Sequence, residues 1–377
     1  MGLIAIAVVA LLCSASLGYL TLRVALRYRL GIDRQQASHK SHVHVVPRLG
    51  AIPVAGGLLI ALRALTLDGD DFDAETLFLA LTLLPALCIG LLEDFFQNLG
   101  TLVRLVTTMA SAALGWWLLG AKLTFLDIGY LDPILANYAI AGFAMTLFAA
   151  SGVSHAVNIV DGCNGLSSFV SMVILAAIAA VANVVGDSFI FSVAVLSVAA
   201  LLGFFVWNFP FGRLFLGDGG AYFTGLLVAE LSILLVCRNP GVSPWFPMLL
   251  GVYPIWETLY SAYRRMFVRG RSPGSPDRLH MHSLVYHRLI KSMSNAHNPR
   301  LQTLQSSLAA MYMWPFALLA AVPAVLFWDQ PQVLKISCAV FAVVYLVLYR
   351  NLVHFRARRL LQVRDRISRV ESSSPAI

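Results

Sequence analysis

The chain has 377 residues, of which 59% are hydrophobic and 12% charged, with a formal net charge of +8 at pH 7. That composition, with a mean hydropathy of +0.77, excludes an ordinary soluble domain and predicts an all-α polytopic integral membrane protein. The positive charge does not point to nucleic acid, because the basic residues stand in short stretches beside apolar runs rather than on one soluble face.

About eleven apolar runs are long enough to cross a bilayer as helices, near 2–22, 49–66, 76–92, 103–120, 136–153, 166–184, 188–207, 221–237, 244–261, 306–327 and 334–352. The first has no basic residue ahead of it and Arg23, Arg27 and Arg29 behind it, the reverse of a cleavable secretory signal, so it reads as retained. Alternate connecting segments hold 22 of the 27 Lys and Arg, and an opposite loop, Asp68 to Glu75, is acidic. The positive-inside rule then predicts an external N-terminus and a cytoplasmic C-terminus. Residues 1–352 read as the membrane domain and 353–377 as a basic cytoplasmic tail, an interfacial amphipathic helix carrying Arg356, Arg358, Arg359, Arg364, Arg366 and Arg369. Cys13, Cys88, Cys163, Cys237 and Cys338 are scattered without ligand spacing and read as free thiols.

Five polar clusters fall on the predicted cytoplasmic side. The first runs from His39 to Gly50 and includes Lys40; by itself it suits a basic loop beside anionic lipid. The second, Gly90 to Gly100, sets Glu93 beside Asp94 at a span end, where adjacent carboxylates need a cation or a shared proton to relieve their repulsion. The third, His155 to Gly165, places Asn158 and Asp161 three apart, with Asn164 beyond them. An amide and a carboxylate on one side of a turn suit a hard cation such as Mg2+, though the same spacing suits a capped and glycine-broken helix end. The fourth, Asn208 to Gly220, carries Arg213, Phe215 and Asp218 at the head of the next span, either as a helix cap or as part of a phosphate and metal site. The fifth, Arg264 to His282, packs four arginines into eight residues and adds Arg278, His280 and His282, a surface suited to a polyanion.

Taken in order, Pro47 to Gly50, Gly90 to Asp94, Asn158 to Leu166, Phe215 to Gly220 and Pro276 to His282 resemble the motifs of the polyprenyl-phosphate N-acetylhexosamine-1-phosphate transferase superfamily, glycosyltransferase family 4. The resemblance covers nearly the whole chain. It implies Mg2+-dependent transfer of a sugar-1-phosphate from a UDP-N-acetylhexosamine to undecaprenyl phosphate, with Mn2+ as a substitute metal and UMP released, as the first step of an envelope glycan such as O-antigen. It implies a bacterial inner-membrane enzyme with its active site facing the cytoplasm, contacts with membrane lipid, and an assembly that a homodimer would satisfy. Carried over by position, Asn158 and Asp218 would bind the metal. Glu93, Asp94 and Asp161 would serve the acceptor phosphate. Lys40, Asn164, Arg213, Phe215, Arg278, His280 and His282 would bind substrate.

This chain has Glu93-Asp94 where the superfamily carries two aspartates, Gln97 where a lysine is common, His155 in place of an asparagine, and Ser283 after the last histidine. The less histidine-rich loop resembles the WecA-like branch more than the phospho-MurNAc-pentapeptide transferases, which stand as the nearest alternative. A transporter is the reading from another class, but it would bury its ionisable groups at mid-membrane, whereas here the spans contain few charges, chiefly Arg63, Glu230 and Glu257, and the acids cluster on one face.

Overall fold

In the computed structural model the described residues, 2–32, 46–67, 73–270, 272, 279–291 and 299–354, form helices and turns, with one isolated bridge between Ile32 and Pro47. The helices are α1 (Leu3–Tyr28), α2 (Ala51–Leu67), α3 (Asp73–Phe96), α4 (Thr101–Leu114), continued by a π-helical turn (Gly115–Leu119), and short α5 (Asp132–Asn137). Then come α6 (Ala139–Val160), α7 (Leu166–Val185), α8 (Ser188–Asn208), α9 (Gly217–Arg238), α10 (Trp245–Leu250) and α11 (Val252–Tyr263), which runs into a second π-helical turn (Arg264–Val268). Short α12 (Met281–Leu284) leads through a third π-helical turn to α13 (Pro299–Leu326) and α14 (Pro331–His354).

Nine helices among the described residues are long and apolar enough to cross a membrane. Two of the eleven expected spans depart from that form. The run at 49–66 is α2, a shorter apolar helix of 17 residues. The run at 244–261 is broken into α10 and α11 at Gly251, where ψ is 3°. Pro254 lacks the N–H that would bond the Leu250 carbonyl, so the helix cannot run straight through. The tail, from residue 355, lies outside the described residues.

Helix α9 is the axis of the bundle, packed against α2, α3, α4, α6, α7 and α8 and buried over most of its length. Small residues make this possible, since with lipid as solvent close backbone approach replaces the hydrophobic drive. A side chain on Gly90 of α3 would strike the backbone at Gly219, and one on Gly225 would strike Ser154 of α6. The Ser154 hydroxyl donates to the Tyr222 carbonyl at 3.0 Å across the second contact. Helices α1 and α14, at the periphery, expose rows of Val, Leu and Ile as lipid-facing spans should.

The antiparallel run of the chain brings four of the predicted clusters to one end of the bundle. The strand-like stretch 46–50 pairs with the turn before α9: the Phe215 N–H donates to the Pro47 carbonyl and the Gly50 N–H to the Phe215 carbonyl, each at 2.9 Å. Asn208, at the end of α8, accepts from the Gly165 N–H at 2.6 Å and donates to the Leu214 carbonyl at 2.9 Å, clipping the third cluster to the fourth.

Candidate active site

The site is built around the first turn of α9, where helix geometry leaves backbone N–H groups without intrahelical partners. Asp94, from the end of α3 and fully buried, accepts from two of them, the Asp218 N–H at 2.8 Å and the Gly219 N–H at 2.9 Å. It therefore caps a helix that is remote in sequence, a role stabilised by the positive end of the helix dipole. Gly217 must be glycine here. Its φ is 75°, and a Cβ would run into the Arg48 carbonyl and the Asp94 carboxylate.

Asp218 sits on that turn between two guanidinium groups. Arg48 Nη2 donates to Oδ1 and Arg104 Nη1 to Oδ2, both at 2.7 Å. Arg48 Nε lies 3.5 Å from Asp94, and Arg104 lies 3.8 Å from Glu93, whose other oxygen accepts from the Leu99 N–H at 2.8 Å. Four carboxyl groups, Glu93, Asp94, Asp161 and Asp218, thus share two guanidiniums, Arg48 and Arg104.

Asp161 follows the last turn of α6, accepts a hydrogen bond from the Gly217 backbone, and is half-buried in the wall of a cavity of about 300 Å³. Burial first, and the neighbouring Asp218 charge second, raise its pKa to about 7 against the opposing pull of Arg48 and the Gly217 hydrogen bond. The cavity lining combines two charged groups, Arg48 and Asp161, with neutral hydrogen-bonding groups, Asn164, Asn208 and Ser306, and the Phe215 ring. Cys163 is held as a thiol, since burial pushes its pKa to about 12.

Asn158 and Asp218 are linked through Tyr222. Its hydroxyl bonds to Asn158 and lies 3.5 Å from Asp218 Oδ2. Among the described residues no three His, Cys, Asp or Glu side chains gather to hold a metal by themselves. Mg2+ is commonly held by one or two protein oxygens together with substrate phosphates and water, and of the two expected ligands Asp218 has both its oxygens engaged by Arg48 and Arg104.

The remaining expected residues are placed as follows. Asn164 is buried, with its amide donating to the Thr303 carbonyl and the Ser307 hydroxyl of α13, both at 3.2 Å, and it lines the cavity. Phe215 lines the same cavity. Arg213 stands apart: the tight turn at Gly212 leaves it exposed, with its guanidinium 5.4 Å from the Phe211 ring centroid. The guanidiniums gathered at this end are those of Arg48 and Arg104, both donating to Asp218. His280 and His282 lie on the fifth cluster, their rings parallel and 5.5 Å apart, with His282 against Gly162. Lys40 and Arg278 fall outside the described residues.

Sequence reasoning assigned no role to Arg104, Tyr222 or Ser306. Arg104 carried a signal, a lone cation one turn into an apolar run, and Tyr222 stands one turn after Asp218. Ser306 carried none, because only packing brings α13 to the cavity. His155, which replaces the usual asparagine, lies 3.2 Å from the Thr108 hydroxyl and 4.8 Å, ring to ring, from Tyr222.

A bundle of lipid-facing helices that gathers carboxylates, guanidiniums and a polar cavity at one end defines a multi-pass membrane protein with a charged site at that end. Residues 76–236, the stretch that carries the second, third and fourth clusters, match the model of glycosyl transferase family 4. The chain is 26% identical over 281 residues, 71% of this chain and 72% of the relative, to the Bacillus subtilis protein named "Probable undecaprenyl-phosphate N-acetylglucosaminyl 1-phosphate transferase". It is 27% identical over 359 residues, 85% of this chain and 83% of the relative, to the decaprenyl-phosphate N-acetylglucosaminephosphotransferase of Mycolicibacterium smegmatis. A phospho-N-acetylmuramoyl-pentapeptide-transferase of Carboxydothermus hydrogenoformans is 28% identical over 256 residues, 62% of this chain and 74% of the relative.

Proposed function

We propose that the chain transfers an N-acetylhexosamine-1-phosphate from a UDP-sugar to undecaprenyl phosphate, releasing UMP, at the cytoplasmic face of a bacterial inner membrane. The observation that carries this reading is the cavity at the head of α9, whose lining combines the Arg48 guanidinium, suited to a diphosphate, with Phe215 and Asn164, suited to a nucleobase. The names of the relatives and the basic asymmetry of the loops support the lipid acceptor and the cytoplasmic side.

In this reading an oxygen of the acceptor phosphate attacks the sugar-bearing phosphorus of the donor. A new phosphorus–oxygen bond forms as the bond to UMP breaks. Asp161 takes the remaining proton of the acceptor phosphate, a task for which a carboxylate of pKa about 7 is suited near neutral pH. Arg48 and Arg104 hold Asp218 and offset the negative charge that gathers as two anions meet. Asn158 and Asp218 would hold Mg2+, which when bound neutralises the diphosphate oxygens. Asp94 acts by holding the head of α9, and Glu93 by holding Arg104 and the turn at Leu99. By their sequence positions, Arg278, His280 and His282 are assigned to the phosphates or the sugar of the donor and Lys40 to its nucleotide.

The test is UMP release by the purified full chain in lipid, with undecaprenyl phosphate, Mg2+ and a panel of UDP-sugars. Release that requires both the lipid phosphate and one UDP-N-acetylhexosamine is expected. No release with any UDP-sugar, or release indifferent to the lipid, would overturn the reading.

A further inference from the structure

Glu257 belongs to none of the five clusters, yet it is a carboxylate with no exposed surface, set midway along α11. A buried charge persists only where donors surround it. Its donors come from elsewhere in the fold: His280 Nδ1 at 2.9 Å, the Met281 N–H at 3.1 Å, and the Tyr345 hydroxyl of α14 at 2.7 Å. Two of the three belong to the loop of the fifth cluster, so the carboxylate fixes both the backbone of that loop and the face of an imidazole.

We propose that Glu257 is a positioning residue, holding His280, and through the stacked ring His282, against the Gly162 wall of the cavity so that the imidazole pair meets the sugar-phosphate end of the donor. The sugar-phosphate ligand in this statement rests on the transfer reading above. Accepting from Nδ1–H selects one tautomer, which leaves Nε2 as the free nitrogen of the partly exposed His280 ring. His282 supplies the register. It is buried, its ring stands parallel to His280, and its Nε2 occupies the space a side chain on Gly162 would need. Its Nδ1 has no hydrogen-bond partner. Burial pushes the His282 pKa down to about 4, more strongly than Glu257 raises it, so this ring is uncharged near pH 7 and serves as a spacer. Gly162 and Cys163 line the cavity, so a loop held on Gly162 is held at its edge.

A purely structural strut and a positioning residue differ in a double-mutant cycle. Glu257→Gln, His280→Asn and the double variant of the full chain would be compared for kcat and KM toward the UDP-sugar, together with hydrogen exchange of the 279–284 amides. Glu257→Gln is expected to lower kcat by about 10- to 100-fold, to speed exchange at 279–284, and to have no further effect in the His280→Asn background. Glu257→Asp should recover part of the loss. Additive losses in the double variant, or unchanged exchange at 279–284, would overturn the proposal. If Glu257→Gln does not fold, the same cycle is run with Glu257→Asp and read by the same criteria. A wild-type chain that releases no UMP would sink the transfer reading instead, while the exchange arm would still decide whether Glu257 holds the loop.

Discussion

The two ends of α9 carry opposite solutions to the same problem. At its head Asp218 is buried between Arg48 and Arg104, each at 2.7 Å, with Asp94 capping the turn. At its far end Arg238 meets Glu75 at 3.2 Å with both side chains partly in solvent. An exposed pair of the second kind contributes about 0–1 kcal/mol. The buried cluster is different in kind, because desolvating several charges opposes folding and is tolerated only while every partner is present. An arrangement of that sort, at the edge of a polar cavity, is a place where the fold carries an electrostatic burden for the sake of chemistry.

That contrast can be broken most directly at Asp218. Asp218→Asn keeps the shape but removes the charge between the two arginines, and turnover measured as UMP release should fall by about 10²- to 10³-fold. Retention of near-normal turnover at ordinary Mg2+ would show that the head of α9 is architecture. Asp161 sharpens the comparison through pH. Its raised pKa keeps the carboxyl protonated up to about 7, so the proton-accepting form grows in as pH rises through that value. Below pH 7 log kcat/KM should climb by about one per pH unit and then level off. Asp161→Asn should abolish that ascending limb, and a limb unchanged in the variant would move the base elsewhere. The same shift predicts that Asp161 favours the folded chain at low pH, an advantage lost as pH rises from the ordinary carboxylate range through about 7.

Smaller effects separate scaffold from chemistry. Asp94→Asn puts an NH2 opposite one of two backbone N–H donors, and leaving that donor unsatisfied should cost about 1–3 kcal/mol of stability. Chemical denaturation in detergent should register the loss, with activity falling only as folded protein is lost. A stable but inactive Asp94→Asn chain would return the residue to the acceptor phosphate. At the opposite end, Arg238→Ala should change stability by less than about 1 kcal/mol and leave UMP release unchanged. A larger loss there would erase the distinction between the two ends.

The helical membrane class, the positions of most spans and the polar clusters were all legible in the sequence. Length of apolar run, loop charge and residue type are local properties that a bilayer reads directly. Asn158, Asp161 and Asp218 announced themselves as polar groups in apolar surroundings. What the chain could not announce was partnership. Asp94 reads as the end of α3 and acts at the head of α9; Arg104 reads as an ordinary interfacial cation and grips Asp218; Glu257 reads as a stray span charge and holds a loop more than twenty residues away. The break of the ninth span at Gly251 was hidden behind a continuous apolar run, because hydropathy does not register a missing backbone donor. Which carboxylate is engaged by backbone amides and which faces a cavity depends on helices brought together by small residues such as Gly90, Gly219 and Gly225, and only the packed bundle decides it.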